Sequence, residues 1–257
     1  MSLLKDLKRH GFLFEELVKR DFKKKYKRTV MGMGWSVLSP LLTMLVMRLI
    51  FTELLGRDME HFTTYLFCGT LTLAYFTESS NAGMRALLGN AHIFSKVNVP
   101  KYLFILAKNV QTLINFCLTL CVFFLFCVID HITFTWRIAL MPIPILCLVL
   151  FNIGIGMILS VLYVFFRDIQ YLWSVVIRLL TYTSAIFYSI ARFPLPWRNL
   201  FYCNPVYCFI RYFRWLVIDM AVPPLWFHGI ILCHVLWALG LGCWMYRKYR
   251  NRFVYYV

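Results

Sequence analysis

Acidic side chains are scarce in this chain. Asp and Glu together number 11 among 257 residues, and all charged residues make up 15%. Soluble domains run to about 25% charged, so a water-facing surface for a chain of this length is excluded. The acids are also scattered. Asp58, Glu60, Asp130, Asp168 and Asp219 fall in polar loops, and the apolar stretches hold only Glu53 and Glu78. Hydrolytic or transfer chemistry needs acids, histidines or nucleophiles gathered at one depth, and no such cluster is legible. The six histidines never form HExxH, and the nine cysteines never form CxxC. No catalytic residue and no metal ligand set is therefore expected. A GxxxxGK run followed by Ser or Thr is also missing, which removes the usual phosphate-cradling loop for ATP. The first 34 residues contain ten Lys/Arg and no continuous apolar run, so no cleavable signal peptide is expected there.

Apolar residue types account for 61% of the chain. Runs of 18 or more recur along it, and a bilayer core of about 30 Å needs about 20 such residues per helix. The sequence predicts an all-α integral membrane protein with six transmembrane helices, at 35–55, 62–82, 102–129, 138–166, 171–190 and 225–246. Residues 35–257 then form one transmembrane domain. Ahead of it, 1–34 form a cytoplasmic amphipathic helix with a basic stretch. Leu3, Leu7, Phe14, Leu17 and Val18 recur at helical spacing, with Lys5, Lys8, Arg9, Glu15, Glu16 and Lys19 opposite. A basic helix of this kind lies in the headgroup layer, and the plainer alternative is a solvated stretch that only fixes topology.

Segment 191–224 is the hard part of the topology. Its apolar core, near 206–220, is short for a span and holds Arg211 and Arg214. An arginine at mid-bilayer costs at least ~2.5 kcal/mol on insertion scales. Were it to cross, the tail with Arg247, Lys248, Arg250 and Arg252 would lie outside, against the positive-inside rule. It is therefore expected to form short re-entrant helices on the outer side. Nineteen Lys/Arg then face the cytoplasm and six the exterior, with both termini inside. The net charge of +16 follows from these flanks and does not point to nucleic acid.

Intramembrane charge carries the functional expectations. Arg178 and Glu78 lie about 10 Å inside the same boundary at ~1.5 Å per residue. They pair, or Arg178 faces an aqueous path, or each snorkels to its own interface. Arg48 stands near the outer end of the first span, in reach of Glu53 or an anionic substrate. Tyr182, Phe187 and Tyr188 belong to an aromatic set around the fifth span. Such residues anchor helices at interfaces or offer sliding contact to sugar rings. Cys203 and Cys208 are either an outer disulfide or two incidental thiols.

Four segments in order carry a resemblance: FKKKYKRTVMGMGWSVLSP at 22–40, NAHIFSKVNVP at 90–100, FFRDI at 165–169, and Asn204-Pro205. Together they resemble the ABC-2-type membrane subunits of polysaccharide exporters, which serve O-antigen, capsule and teichoic acid. The resemblance implies a bacterial cytoplasmic-membrane protein that pairs with a second copy of itself and with two separate ATPase subunits. Those partners would bind ATP and Mg, this chain no cofactor. It further implies that Phe14, Lys23, Asn90, Phe94, Lys96, Pro100, Arg167 and Asp168 face the ATPases. Arg48, Glu78, Arg178, Tyr182, Phe187 and Tyr188 would line the path of a lipid-linked glycan. Asn204, Pro205 and Arg211 would shape the outer re-entrant part. The competing expectations are an ABC-2 permease for a drug, antibiotic or lipid, and a membrane-embedded transferase.

Overall fold

The computed structural model describes residues 10–27, 31–54, 61–94, 96, 99–250 and 252–253, and every regular element among them is helical. The first turns of the predicted amphipathic helix, the 56–60 turn and the side chain of Glu53 lie outside the described set. In order, α1 is Gly11–Tyr26, α2 is Gly34–Arg48 and α3 is Phe62–Arg85. A short α4 (Ala91–Phe94) follows, then α5 (Tyr102–Ile129), α6 (Pro142–Phe165) and α7 (Ile169–Thr183). The connection between α7 and the last helix holds α8 (Leu195–Leu200) and α9 (Pro205–Val217), and α10 (Leu225–Tyr249) ends the bundle.

Local chemistry explains several boundaries. α9 begins where Asn204 Oδ1 accepts the backbone N–H groups of Val206 (3.0 Å) and Tyr207 (3.3 Å), with Pro205 in the first helical position. Asparagine before proline is a strong start signal, because both meet needs of unpaired first-turn donors. Pro40 sits inside α2 and removes one backbone donor there. Beyond Arg48 the helix widens into a π-helical stretch, Leu49–Leu54.

α6 is the hub. A Cβ on Gly154 would fall 2.5 Å from the carbonyl carbon of Ala238, and one on Gly242 would fall 2.7 Å from the Gly154 oxygen. On the opposite neighbour, a Cβ on Gly83 would meet Gly156 Cα at 2.8 Å. Lipid supplies no hydrophobic drive between spans, so close backbone contact through small residues is what holds them. These glycines set α10 and α3 against α6.

Among the described residues, four stretches are long and apolar enough to cross a bilayer: Gly34–Phe51, Tyr102–Ile129, Trp136–Phe165 and Leu225–Tyr249. The two remaining predicted spans differ from these for physical reasons. α3 has ample length, ~36 Å, but carries many hydroxyls, which the bundle absorbs. Thr64 donates to Asp130 (2.6 Å), Ser79 to Asn109 (2.7 Å), and Ser80 accepts from the Trp173 indole (3.0 Å). The predicted 171–190 span is shorter than expected. α7 stops at Thr183, ~22 Å long, and Ala185 takes a left-handed φ of +50°.

The break after α7 is held by Arg214, which is 2% exposed. Its guanidinium donates to the carbonyls of Ala185 (2.9 Å), Ile186 (3.2 Å) and Tyr65 (3.2 Å), and lies 3.4 Å from the centre of the Tyr65 ring. Backbone that leaves the helix at depth must find donors within the protein, and Arg214 supplies them. Cys203 and Cys208 are free thiols.

A direct test of the hub is Gly154→Val. Overpacking costs roughly 1–3 kcal/mol, so the thermal midpoint of the detergent-solubilised protein should fall by several degrees. Gly240→Ala, whose Cβ would meet nothing within 4 Å, should leave the midpoint unchanged or slightly raised. Equal behaviour of the two variants would refute the close-packing account.

Candidate functional site

α1 lays Phe14, Leu17, Val18 and Asp21 along one face, the i, i+3, i+4, i+7 stripe of an amphipathic helix. The apolar members join a cluster with Leu87, Phe94, Phe104, Val164, Tyr246 and Phe253. Both described ends of the chain therefore pack at the same end of the bundle. The fourth member of the stripe is an acid, and it is buried (4% exposed). Asp21 Oδ1 accepts from Arg20 Nη2 (2.8 Å) and Nε (3.0 Å), and its Oδ2 stands 3.0 Å from Lys108 Nζ on α5. Arg20 also donates to Asn90 Oδ1 (2.6 Å), and Asn90 in turn donates to the Ala86 carbonyl (2.8 Å). One carboxylate thus ties α1, the 86–94 turn and the first turns of α5.

The far side of that turn is bound to the tail. Lys101 Nζ donates to the Arg250 carbonyl (3.0 Å) and lies 5.2 Å from the Phe94 ring and 5.5 Å from the Phe253 ring. Burial among these groups lowers the Lys101 pKa from its ordinary value. Phe94 is buried and Pro100 half-buried, whereas Lys96 is exposed. Arg167 and Asp168 are exposed in the α6–α7 turn, with the Arg167 guanidinium 5.7 Å from the Tyr163 ring. Lys23 is exposed on α1, where it lines a basic cleft of about 780 Å3 with Arg20, Lys24 and Lys27. On the solvent face, Lys19 pairs with Glu15 at 2.7 Å, a hydrogen bond that lowers the Glu15 pKa.

Glu78 does not pair with Arg178. Its Oε1 accepts from Lys25 Nζ (2.7 Å) and from Asn115 Nδ2 (2.8 Å), so α1 and α5 claim it. The Tyr26 hydroxyl donates to Asn115 Oδ1 (2.5 Å) and stands 2.7 Å from Ser36 Oγ. These groups border a cleft of about 420 Å3 between α2, α3 and α5. Arg178 is exposed on α7.

α7 has no buried residue. Tyr171, Leu172, Val175, Leu179 and Tyr182 are all exposed, and so are Leu42, Leu45, Val46 and Arg48 on α2. The segments that follow the two helices meet where Phe51 stacks on Phe187 (5.9 Å). Tyr188 donates to the Tyr182 carbonyl (2.8 Å) and accepts, at its own carbonyl, the Tyr65 hydroxyl (2.6 Å). Arg211 pairs with Asp219 (3.0 Å) and covers the Trp215 ring (4.6 Å).

The sequence-based expectations missed Asp21, Lys108, Lys25 and Asn115. Asp21 did leave a signal, as a lone acid on the apolar stripe of α1. The basic partner across the contact did not, because Lys108 lies 87 positions later on another helix.

Asp21→Asn leaves Arg20 and Lys108 without their shared counter-charge. A fully buried pair loses ~3–5 kcal/mol on such a cut; with both cations partly exposed, about 2 kcal/mol is expected. The measurable sign is increased protease cleavage within 10–27 at an unchanged bundle melting temperature. Unchanged cleavage would show that α1 docks without need of the Asp21 bridge.

The pattern that defines the ABC-2 type transporter family matches residues 13–218, from α1 to the end of α9. A Klebsiella pneumoniae protein named O-antigen export system permease protein RfbA is 29% identical over 252 residues, covering 93% of this chain and 95% of its own length. A Myxococcus xanthus protein of the same name is 27% identical over 191 residues, covering 74% of each. The match takes in the Asp21 layer, the cleft and the Arg214 break together, and the chain belongs to the ABC-2 type transporter family.

Proposed function

We propose that this chain is the transmembrane subunit of an ATP-driven exporter that moves a lipid-linked polysaccharide out across the bacterial cytoplasmic membrane. In this reading it works as a homodimer with two separate ATPase subunits, which bind the ATP and Mg. Six passages cross the bilayer, α3 and α7 among them, the 191–224 segment enters and returns, and both termini face the cytoplasm. The names of the relatives support the polysaccharide class, and the 29% identity extends over nearly the whole chain.

The observation that carries the reading is the packed layer at the termini end. Coupling to a motor needs a cytoplasmic element joined rigidly to the spans, and the Asp21 carboxylate joins α1 and the 86–94 turn to α5. Lys96 and Arg167 stand exposed on that side, where a docking protein would meet them. The conduit follows from the exposed faces of α2 and α7. Six helices packed from one chain leave little room for a wide polymer, so a two-fold interface between copies is the economical site for its path. Rigid-body motion of the two halves would open it.

Co-expression with an ATPase encoded beside it should give a complex of two permease and two ATPase chains, and depletion should leave lipid-linked glycan inside the cell. Lys96→Ala and Arg167→Ala each remove one exposed charge worth up to ~1 kcal/mol. Together they should lower ATPase recovery or export about tenfold while membrane insertion is unchanged. Normal export by the double variant would refute the docking assignment. Tags at both termini should label only from the cytoplasmic face.

A further inference from the structure

The cleft between α2, α3 and α5 is unused by the conduit or the docking layer. It runs from Glu78 to Phe67, 11 residues along α3 or ~16 Å, and its volume of about 420 Å3 suits a small-molecule site. Its two ends differ in chemistry. At the termini end lie Lys25 and Glu78, 2.7 Å apart with side chains 35% and 40% exposed. At the deeper end Phe67, Leu71 and Pro40 form the wall. The threonines between them give no ionic recognition: Thr43 donates to the Ser39 carbonyl (2.8 Å) and Thr70 to the Leu66 carbonyl (3.0 Å).

The ion pair is only half used. Among the described residues, Glu78 Oε1 takes both hydrogen bonds, from Lys25 and Asn115, which leaves Oε2 open. Lys25 directs one of its three ammonium protons to Glu78. An open acceptor of negative charge and an open donor of positive charge therefore stand side by side, above an apolar trough. We infer that this cleft binds a glycerophospholipid whose headgroup is a primary ammonium joined to a phosphate diester, drawn from the leaflet at the termini end. The phosphate meets the Lys25 ammonium, the headgroup ammonium meets Glu78 Oε2, and the glycerol and upper acyl chains lie along Leu71 and Phe67. A choline headgroup has no N–H for Oε2. A purely anionic headgroup or a lipid diphosphate faces the Glu78 carboxylate with its own charge, while the cation beside it is already compensated. Anionic lipid is better served by the neighbouring basic cleft with Arg20, Lys23, Lys24 and Lys27.

The test is lipid retention on the purified full chain, which requires no ATPase and no glycan and is thus independent of the export reading. Protein is reconstituted in nanodiscs of equal phosphatidylethanolamine and phosphatidylglycerol, released, and the retained lipid is identified by native mass spectrometry. Wild type should hold phosphatidylethanolamine. Glu78→Gln keeps the shape and the Asn115 bond but loses the charge. Ala74→Trp places an indole in the cleft from an exposed position of α3. Each should lower phosphatidylethanolamine retention at least about fivefold, with phosphatidylglycerol retention and elution volume unchanged; Lys19→Gln should change neither. Retention unaffected by both variants, or a wild-type preference for phosphatidylglycerol, would overturn the assignment. Displacement of bound phosphatidylethanolamine by added lipid-linked diphosphate would overturn it too, by giving the cleft to the substrate.

Discussion

The Asp21 carboxylate is nearly sealed from solvent and meets two cations, one beside it on α1 and one on α5. Its position makes α1 part of the bundle rather than a strap lying on its surface. Arg20 reaches past it to Asn90, so the turn after α3 is fixed by the same group. The apolar stripe of α1 supplies area, but area alone lets a helix slide. A charge with two directional partners sets register as well, the best-attested use of buried polar groups. The layer at this end then closes through Lys101, which bridges the turn to the Arg250 carbonyl.

The same constraint governs the opposite end, with a different solution. Arg214 is buried with no carboxylate partner among the described residues, its charge spread over carbonyls of Tyr65, Ala185 and Ile186. Two of those carbonyls, of Ala185 and Ile186, lie beyond the end of α7 at Thr183. Arginine and broken backbone thus answer each other: each would be costly alone in hydrocarbon. Read as a charge on an apolar segment, Arg214 looked like a reason against depth. In the fold it is the donor that lets the buried backbone turn.

Much of the architecture was legible because membrane spans are written locally. The apolar runs of α2, α5, α6 and α10 needed only length, and Asn204-Pro205 announced the start of α9. What sequence could not convey was azimuth. Depth arithmetic put Glu78 and Arg178 at one level, which is a necessary condition for pairing but not a sufficient one. α7 faces α3 through Trp173, whose indole donates to Ser80. Arg178 lies five residues on, ~140° round a helix of 3.6 residues per turn, and so turns away. Glu78 was taken instead by Lys25, from a helix read as a headgroup anchor. Pairings between α1 and the spans join segments 53 and 87 positions apart (Lys25 with Glu78, Asp21 with Lys108), and no local pattern records them.

α1 is held to the spans at two places rather than one. At Asp21 it grips the start of α5; one turn on, Lys25 grips Glu78 on α3, and Tyr26 reaches Asn115 on α5 and Ser36 on α2. A helix pinned twice transmits rotation as well as translation. Tyr26 and Ser36 are ten residues apart, so any tilt of α1 acts on the base of α2 without slack. α2 is little committed to the core of this chain, with Met44 its only buried residue among those described, and α7 buries none. In the proposed dimer, α2 and α7 face the polymer path, and between them they bury a single described residue, Met44, in this chain. A motor pressing on α1 would therefore displace the lining of the path before it disturbed the glycine-packed hub of α3, α6 and α10. The cleft beside Glu78 lies between that moving wall and the fixed hub, so a lipid seated there would resist or ease the motion according to how well its headgroup fits the half-used ion pair.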